Sequence, residues 1–550
     1  MKSYIVPVCS ILAETSPQAL PLGAACIVSA INKEFSTTKN SNFCVKSELC
    51  VFSMENLPSI KKIAEILLEK NPRVICFSVF VWNHPVLVEV AREIKETNKQ
   101  ILLIAGGPEV TARASSFSDF DFLVTGEGEV IVPNLIRKIL KEENFENCSK
   151  IFYGKRSVLA NLSSPYLDGT LKPEDYDGGI LWELARGCPF KCSYCYESKG
   201  EKTVDYFPME RILKELQFFQ KSGVRQVFVL DPTYNAQKKR ALEMLENIRK
   251  ITPNIFYHFE CRAEFLDVEL AKAFASISCS LQIGLQSSNE NVLKLVNRNF
   301  NRKEFIKKIG ILNKYGVIFG FDLIYGLPGD SFSSFKESID FALSLYPNSL
   351  ELFRLSVLPG TTLYDQREEL KLSALDYPPY HVQSVPTFPQ EMLLKAEKLA
   401  IATNLFYSAG RAVSWFHIIL SPLRCKPSVF LSRFVNFLEN EDSKYLTIEN
   451  ICKNHKEIEK LQIAFVEKEY KNSNLQRLLP AVVDCIRLNG AFSRAYGEGE
   501  SCQIKLMYHP EDIFSPYIQD LNYFCKNAQR KNYLVQISPG KNAPKWKILK

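Results

Sequence analysis

The sequence predicts an α/β protein in three parts: an N-terminal doubly wound, Rossmann-like parallel sheet, a central partial (β/α)6 barrel and a C-terminal α+β domain. Three observations lead to this prediction. Short apolar runs alternate with helical patterns over the first 145 residues. Six further apolar runs separated by helical stretches follow, which is typical of a barrel. The last part mixes a long helical pattern with short strand-like runs.

Length and composition agree with several folded domains. The chain has 550 residues, of which 46% are hydrophobic and 23% are charged, so disordered and collagen-like classes are excluded. The predicted parts are residues 1–145 (first sheet), 146–178 (linker), 179–370 (barrel) and 371–550 (accessory domain).

The first part carries small and polar residues where its predicted strands end. The strands are predicted at 4–8, 73–79 and 101–105, and the helices at 20–31, 85–97 and 129–140. Ligands of doubly wound sheets bind at the carboxyl ends of the strands. The residues found there are Ser78, Trp82, Gly106, Gly107, Gly126 and Glu127.

The barrel is predicted from six strand candidates, at 180–186, 225–231, 255–262, 280–286, 317–325 and 348–356. Residues 146–178 precede it and lack clear periodicity, which indicates a linker. The chemistry of a (β/α) barrel lies at the carboxyl ends of its strands, so the loops after these runs are the first place to search for a site.

The third part shows no catalytic motif. A proline-rich stretch at 377–389 leads into a helix predicted at 390–406, and strands are predicted at 503–508 and 533–537. The last 30 residues hold seven basic side chains and no acidic one, and the whole chain has a net charge of +7. A basic tail can bind nucleic acid, but it is more often a solvated end, so nucleic acid is not an expected partner.

The sequence predicts a cytoplasmic protein without a membrane partner. Its most apolar internal run, 412–423, holds twelve residues and includes His417, whereas a spanning helix needs about 18 apolar residues. The first residues lack the apolar region of a signal peptide. Disulfides are therefore not expected among the 16 cysteines.

Three cysteines form the strongest local motif. Cys188, Cys192 and Cys195 have Cx3Cx2C spacing in a loop after the first predicted barrel strand, and the next cysteine is Cys261. Thiolates select soft metals, and zinc structural sites or complete iron–sulfur sites use four ligands. Three thiolates on a [4Fe–4S] cluster would leave one iron open, which indicates chemistry rather than scaffolding.

This motif, with Tyr194 just before its last cysteine, resembles that of the radical S-adenosylmethionine (radical SAM) superfamily. The resemblance implies that the open iron binds SAM. One electron from the cluster then cleaves SAM to a 5′-deoxyadenosyl radical. It also implies a reducing partner, such as flavodoxin or ferredoxin, and a substrate that the sequence does not identify.

The resemblance places further residues on the SAM side of the site. The family's usual Gly-Gly-Glu after the second strand is missing, and Asp231 or Asn235 would substitute for it. Glu260 and Arg262 alternate on the third strand and so share a face. The complete SAM-side set is Tyr194, Asp231, Asn235, Glu260, Arg262, Gln286 and Gly326.

The first part resembles the cobalamin-binding domain that precedes the barrel in one radical SAM subclass. The resemblance implies cobalamin at Ser78, Trp82, Gly106, Gly107, Gly126 and Glu127. The family's Asp-x-His-x-x-Gly motif is absent, and His84, at a different strand, is interpreted as a surface or loop histidine. A sheet that only supports the barrel remains an alternative.

The expected activity is radical SAM catalysis, with methyl transfer to a substrate or its rearrangement. A tRNA methylthiotransferase is an alternative, although it needs three further cluster cysteines in the first part. The available cysteines are Cys9, Cys26, Cys44, Cys50 and Cys76, outside that family's local contexts. A non-catalytic iron–sulfur or zinc protein is the third hypothesis, but three local cysteines do not complete such a site.

Overall fold

The computed structural model describes residues 2–37, 43–141, 149–198, 203–441, 443–447, 454–540 and 543–549. The chain forms two compact units. Unit 1 comprises Met1–Leu281, Val296–Arg298 and Ser356–Val382. Unit 2 comprises Gln282–Leu295, Asn299–Leu355 and Gln383–Lys550. The boundary between them cuts through the predicted barrel, so neither unit coincides with a predicted part.

The first sheet has six parallel strands in the order β2-β1-β3-β4-β5-β6. Their bounds are β1 (Lys2–Leu12), β2 (Phe43–Ser53), β3 (Val74–Ser78), β4 (Leu102–Gly106), β5 (Phe122–Gly126) and β6 (Ile151–Gly154). β6 lies inside the segment predicted as a linker, and its pairing with β5 extends the sheet. Four residues are too few for the apolar pattern to reveal a strand.

Helices cover both faces of this sheet, which confirms the predicted doubly wound class. The helices are α1 (Leu22–Thr37), α2 (Ile60–Leu68), α3 (His84–Thr97), α4 (Pro108–Arg113) and α5 (Ile131–Leu140). One core packs Leu67 and Leu87 of α2 and α3 against the sheet. The other packs Ile31 and Ile136 of α1 and α5. The carboxyl ends of the strands thus stay at one uncovered edge.

The second sheet confirms the six predicted barrel strands. Its members are β7 (Gly179–Trp182), β10 (Gln226–Val229), β11 (Phe256–Cys261), β12 (Cys279–Gln286), β13 (Ile318–Tyr325) and β14 (Ser349–Arg354). They follow in chain order from β7 at one edge to β14 at the other, as expected for a partial barrel. The short strands β8 (Ala185–Arg186) and β9 (Asp205–Tyr206) pair antiparallel beside β7.

The remaining elements of this region connect those strands. The helices are α6 (Met209–Lys221), α7 (Lys238–Ile251), α8 (Val268–Ala275), α9 (Glu290–Leu295), α10 (Arg302–Tyr315), α11 (Phe332–Leu343) and α12 (Thr362–Asp365). Two short strands, β15 (Ser373–Ala374) and β16 (Val382–Ser384), follow.

The C-terminal region is helical with one small sheet, which confirms the predicted α+β class. Its elements are α13 (Gln390–Thr403), α14 (Phe416–Leu423), α15 (Pro427–Glu441), α16 (His455–Asn472), α17 (Leu479–Gly497), β17 (Cys502–Leu506), α18 (Pro510–Phe514), α19 (Leu521–Asn527), β18 (Tyr533–Ser538) and β19 (Lys545–Ile548). Phe406 packs its ring against Phe430, Phe434 and Phe465 in the helical core. Within the described ranges, no helix combines the length and apolar character needed to cross a membrane.

Candidate functional site

The three motif cysteines lie on a loop that backbone hydrogen bonds hold in place. Cys188 and Cys192 are buried and Cys195 is half-buried. The Cys195 N–H donates to the Cys192 carbonyl at 3.1 Å. The intervening Ser193 donates to the Val296 carbonyl and accepts from the Leu363 N–H, at 3.1 and 2.8 Å. Segments far apart in the chain therefore fix the loop.

Hydrogen-bond donors surround the sulfur atoms. The Arg298 guanidinium donates to the Cys192 Sγ across 3.9 Å. Burial raises the pKa of Cys188, while hydrogen bonds with the Phe190 backbone and the Thr233 side chain oppose that rise. Burial also raises the pKa of Cys195, to about 11. A cationic donor beside partly buried thiols is the environment that stabilises thiolate ligands once a metal is bound.

The donor set fits an iron–sulfur cluster. Within the described residues, no three His, Cys, Asp or Glu side chains lie close enough together to hold a single metal ion, so the three thiols are not gathered around one centre. A zinc ion gathers its sulfur ligands at about 2.3 Å from one centre. An iron–sulfur cluster instead takes thiolate ligands around several iron atoms and tunes itself by hydrogen bonds to sulfur. The Arg298 contact supplies such a hydrogen bond.

Two of the predicted SAM-side residues hold backbone groups next to the cysteine loop. The buried Asp231 carboxylate accepts the N–H groups of Leu184 and Ala185 at 2.9 and 3.0 Å, and burial raises its pKa to about 7. The Asn235 amide forms a reciprocal pair with the Arg262 backbone, at 2.9 and 3.0 Å. Both side chains therefore position the ends of β8 and β11, and their contact with SAM stays a prediction.

Glu260 and Arg262 are predicted to share one face of the third barrel strand, but only Glu260 lies within that strand. Glu260 lies on β11 and is exposed, whereas Arg262 lies just beyond the strand and is buried. The Arg262 guanidinium forms an ion pair with Glu264 at 2.5 Å. It also lies over the Phe190 ring, 3.7 Å from its centroid. Phe190 belongs to the cysteine loop, so Arg262 supports that loop through a cation–π contact.

Tyr194 is half-buried, and burial raises its pKa while the charge of Arg298 opposes the rise. Arg298 therefore acts on both the tyrosine and the Cys192 sulfur of the loop. Sequence reasoning missed Arg298, because it is 106 residues from Cys192 and no local pattern marks it.

Unit 2 holds the other two predicted SAM-side residues. Gln286 ends β12 with a positive φ of 68°, and its buried Oε1 atom has no hydrogen-bond partner. A buried acceptor left unpaired costs about 1–3 kcal/mol, so a ligand hydroxyl donating to it would be stabilising. Gly326 follows β13, and its N–H donates to the buried Asp330 carboxylate at 3.3 Å.

The predicted cobalamin-side residues all lie at the carboxyl edge of the first sheet. Ser78 ends β3 and Gly106 ends β4. Trp82 is 43% exposed, stacks on Phe80 with ring centroids 4.5 Å apart, and donates its indole N–H to the Ile11 carbonyl. An aromatic face is thus held rigidly at this edge.

Two glycines at this edge are required by the backbone. Gly107 has φ 115°, and a Cβ atom there would lie 2.5 Å from the Val79 carbonyl oxygen. Gly126 has φ 77°, and its Cβ atom would lie 2.5 Å from the Gly154 carbonyl oxygen. No side chain fits either position. These glycines let the loops after β4 and β5 pack directly against neighbouring backbone.

His84 is not the surface or loop residue that the sequence indicates. It begins α3, and its Nδ1 atom lies 3.0 Å from the Glu109 Oε2 atom. Glu109 is buried and also accepts the hydroxyl of Tyr380 at 2.8 Å. The Glu109 carboxylate therefore joins His84 to Tyr380, which lies 271 positions after Glu109 in the chain.

A cleft of about 670 Å³ borders both the first-sheet edge and the cysteine loop. Gly107, Gly126 and Glu127 line it from the sheet. Gly187 and Tyr196 line it from the segment around the cysteines. The Tyr196 hydroxyl donates to the Pro108 carbonyl at 3.0 Å, so the two sides are in direct contact within unit 1.

One arginine carries most of the charge pairing at this cleft. Arg186, two residues before Cys188, forms ion pairs with Glu127 at 3.0 Å, Glu129 at 2.6 Å and Glu183 at 3.0 Å. Burial raises the pKa of Glu183, and the nearby Arg186 lowers it. The sequence does not predict the pairing of Arg186 with Glu127 and Glu129, because nothing local relates an arginine to glutamates almost 60 residues earlier.

Cysteines of the first part are mostly packing residues. Cys9 and Cys50 occupy directly opposite positions on the neighbouring strands β1 and β2, and both belong to one core. Cys76 belongs to the other core. Burial raises the pKa of all three thiols. Cys44 is exposed and Cys26 is half-buried. This arrangement is typical of apolar core thiols rather than of cluster ligands.

Two family models match the chain. The radical SAM superfamily model matches residues 182–342, which contain the cysteine loop and β10 to β13. The B12 binding domain model matches residues 10–136, which contain the carboxyl edge of the first sheet. Residues 182–342 therefore form a radical SAM domain, and residues 10–136 form a B12 binding domain. The two matches confirm, at the level of domain family, the prediction of a [4Fe–4S] cluster, SAM and cobalamin.

Curated relatives of this radical SAM protein match slightly more than half of the chain. It is 25% identical over 347 residues to the cobalamin-dependent radical SAM methyltransferase TokK of Streptomyces tokunonensis, across 55% of this chain and 49% of TokK. It is 26% identical to the 2-(S-pantetheinyl)-carbapenam-3-carboxylate methyltransferase of Streptantibioticus cattleyicolor, across 53% of this chain and 48% of that protein. The chain thus spans about half the length of both relatives.

Solved structures show the same fold. The cobalamin-dependent S-adenosylmethionine radical enzyme OxsB with aqua-cobalamin bound aligns with a TM-score of 0.60 and 14% identity, over 86% of this radical SAM protein and 80% of OxsB. At this identity the likeness concerns the fold alone. It extends beyond the two family-model matches into the C-terminal region.

Proposed function

We propose that this radical SAM protein is a cobalamin-dependent enzyme that transfers a methyl group to an unidentified substrate or rearranges that substrate. One observation carries the proposal. The cleft bordered by Gly107, Gly126, Gly187 and Tyr196 joins the cysteine loop to the first-sheet edge within one compact unit. A cofactor of the first sheet would therefore face the loop that holds the cluster.

Cys188, Cys192 and Cys195 are the proposed cluster ligands. Arg298 donates a hydrogen bond to the Cys192 sulfur, and a positive charge there offsets the negative charge of thiolate ligands. Arg262 and Phe190 brace the loop by their cation–π contact. When bound, the cluster and SAM supply a carbon-centred radical, and cobalamin supplies a methyl group. The protein residues orient these groups and exclude water.

Two of the proposed SAM contacts lie in unit 2. Gln286 offers an unpaired buried amide oxygen for a ribose hydroxyl, and Gly326 offers backbone without a side chain. In unit 1, the proposed SAM contacts are Tyr194, Glu260, Arg262, Asp231 and Asn235. Asp231 and Asn235 would act mainly by fixing the strand ends, since their oxygen atoms already accept backbone N–H groups.

The proposed cobalamin contacts are at the first-sheet edge. Trp82 presents a rigid aromatic face, and Ser78, Gly106 and Gly107 at the same edge carry no large side chain. Gly126 and Glu127 border the cleft. His84 is hydrogen-bonded to Glu109, so we propose that cobalamin binds here without a histidine ligand.

Two cofactor counts test this function. The full-length protein is expressed with cobalamin supplied and purified without oxygen, and its iron and cobalt contents are measured beside a UV–visible spectrum. The expected result is about four irons for one cluster, and about one cobalt, per chain. About four irons without cobalt would overturn the cobalamin part and leave the first sheet as a support. Absence of iron would overturn the radical SAM activity itself. If iron is present, SAM cleavage is assayed with a one-electron reductant of the flavodoxin or ferredoxin type.

A further inference from the structure

Arg186 on β8 forms an ion network with three glutamates from two loops of unit 1. Its Nη1 atom lies 3.0 Å from Glu127, and its Nη2 atom lies 2.6 Å from Glu129. Both glutamates follow β5 of the first sheet. Its Nε atom lies 3.0 Å from Glu183, which follows β7 of the second sheet. One guanidinium thus joins the edge of the first sheet to the start of the cysteine loop.

The network is largely screened from water. The side-chain exposures are 16% for Arg186, 22% for Glu127 and 9% for Glu129. Removal of one partner from a partly buried ion pair leaves a charge without compensation, so it costs more than the loss of an exposed pair. Three carboxylates around one cation would repel one another strongly without Arg186.

The geometry requires a guanidinium. Three nitrogen atoms of Arg186 each contact a different carboxylate, and the planar fork can do this without a change of rotamer. A lysine ammonium is a point charge on a flexible stem and cannot hold three carboxylates in fixed directions. The backbone of Arg186 is restrained as well, because its carbonyl accepts the Arg156 Nη2 donor at 2.9 Å.

We propose that Arg186 is a positioning residue that sets the spacing between the cysteine loop and the carboxyl edge of the first sheet. By this contact it keeps the intervening cleft in the shape that a corrin requires. Arg186 is two residues from Cys188, and Glu127 follows Gly126 directly, so the ion pair spans the two sides of the cleft. This inference rests on the proposed cobalamin-dependent function.

The test measures binding of hydroxocobalamin by the full-length protein with its cluster reconstituted. Arg186→Gln, Arg186→Lys and the control Arg92→Gln are compared with the wild type by absorbance titration, with iron content and Tm measured in parallel. Arg92 is the control, since it pairs with two carboxylates, Glu89 and Asp119, on the exposed surface, whereas Arg186 pairs with three in a partly buried network.

Arg186→Gln is expected to keep its iron while its Kd for hydroxocobalamin rises about tenfold or more. Arg186→Lys is expected to show a smaller rise in Kd than Arg186→Gln. Arg92→Gln is expected to have the Kd of the wild type. An unchanged Kd in Arg186→Gln, or equal losses in Arg186→Gln and Arg92→Gln, would overturn the positioning role. Failure of the wild type to bind hydroxocobalamin would instead overturn the proposed function.

A milder variant covers the case in which Arg186→Gln does not fold. Glu127→Gln keeps Arg186 paired with Glu129 and Glu183 and removes only the negative charge at the cleft. Its expected result is an intermediate rise in Kd with wild-type iron and Tm. A wild-type Kd in Glu127→Gln would overturn the inference.

Discussion

At the scale of single residues, the cysteine loop combines thiols with cationic support. Arg298 contacts the sulfur of Cys192, and Arg262 contacts the ring of Phe190. The three thiols come from eight consecutive residues, 188 to 195, so their removal affects a local segment. The environment that tunes them comes from distant parts of the chain.

Cys192→Ala is expected to abolish cluster binding while the fold is retained. The three ligands come from one short loop, and the Cys192 sulfur accepts a hydrogen bond from Arg298. The measurement is iron per chain after anaerobic reconstitution, beside circular dichroism. The exposed Cys44 provides the control: Cys44→Ala is expected to keep wild-type iron. Wild-type iron in Cys192→Ala would contradict the ligand assignment, and iron loss in Cys44→Ala would favour a site in the first sheet.

Gly126→Ala is expected to destabilise unit 1 by about 1–3 kcal/mol, because the new Cβ would meet the Gly154 carbonyl at a positive φ. Gly23→Ala is the matched control. Gly23 lies in α1 with no atom within 4 Å of its added Cβ, so this change is expected to be neutral or stabilising by up to about 1 kcal/mol. Thermal unfolding followed by circular dichroism measures both. Equal Tm values for Gly126→Ala and Gly23→Ala would mean that the loop after β5 accommodates the added Cβ atom without strain.

At the scale of secondary-structure elements, buried acids fix how helices meet strands. Asp484 of α17 is buried and accepts the N–H groups of Met507 and Tyr508, at 2.6 and 2.9 Å, just after β17. Burial raises the pKa of Asp484 from 3.8 to about 7. The folded protein therefore retains a proton that the unfolded chain releases at lower pH.

The free energy of unfolding is expected to fall as pH rises from about 4 to about 7, since only the unfolded chain is ionised there. Each unit of pKa difference contributes about 1.4 kcal/mol. Asp484→Asn keeps an acceptor oxygen but does not titrate. The variant and the wild type are expected to have similar stability at pH 4, and the variant is expected to be more stable at pH 8. Urea unfolding at pH 4 and pH 8 measures this difference in stability. The same pH dependence in Asp484→Asn and the wild type would contradict the raised pKa of Asp484.

The strands of the barrel were predictable because buried parallel strands are nearly continuous apolar runs. β2 was not, because Lys46, Ser47 and Glu48 interrupt its apolar pattern. It is nevertheless paired with β1 along all of its 11 residues. The cysteine motif was predictable because it is local. Contacts such as Arg186 with Glu127 were not, since they depend on which loops the two sheets bring together.

At the scale of the whole molecule, unit 1 is built from distant parts of the chain. Ser356–Val382 belongs to it, although most of the intervening residues belong to unit 2. Tyr380 anchors this segment by donating to the buried Glu109. The Arg113 guanidinium also donates to the Asp376 carbonyl at 2.7 Å. Helix α4, which follows β4 of the first sheet, thus binds the segment Ser356–Val382 through both contacts.

Tyr380→Phe is expected to destabilise unit 1 by about 1–3 kcal/mol, because the buried Glu109 loses a hydroxyl donor. Tyr377→Phe is the control, since the Tyr377 side chain is 63% exposed and lies only three residues away. Both variants are compared by urea unfolding of the full chain. Equal urea midpoints for the two variants would show that the hydrogen bond from Tyr380 to Glu109 contributes nothing to the stability of unit 1.

The contact between Glu109 and Tyr380 also has a consequence for biosynthesis. The two residues are 271 positions apart. At a translation rate of about 5–20 residues per second, Tyr380 leaves the ribosome on the order of tens of seconds after Glu109. During that interval the nascent first sheet holds its buried carboxylate beside His84 without the tyrosine. A chain that stalls before residue 380 therefore presents an incomplete first domain to chaperones and proteases.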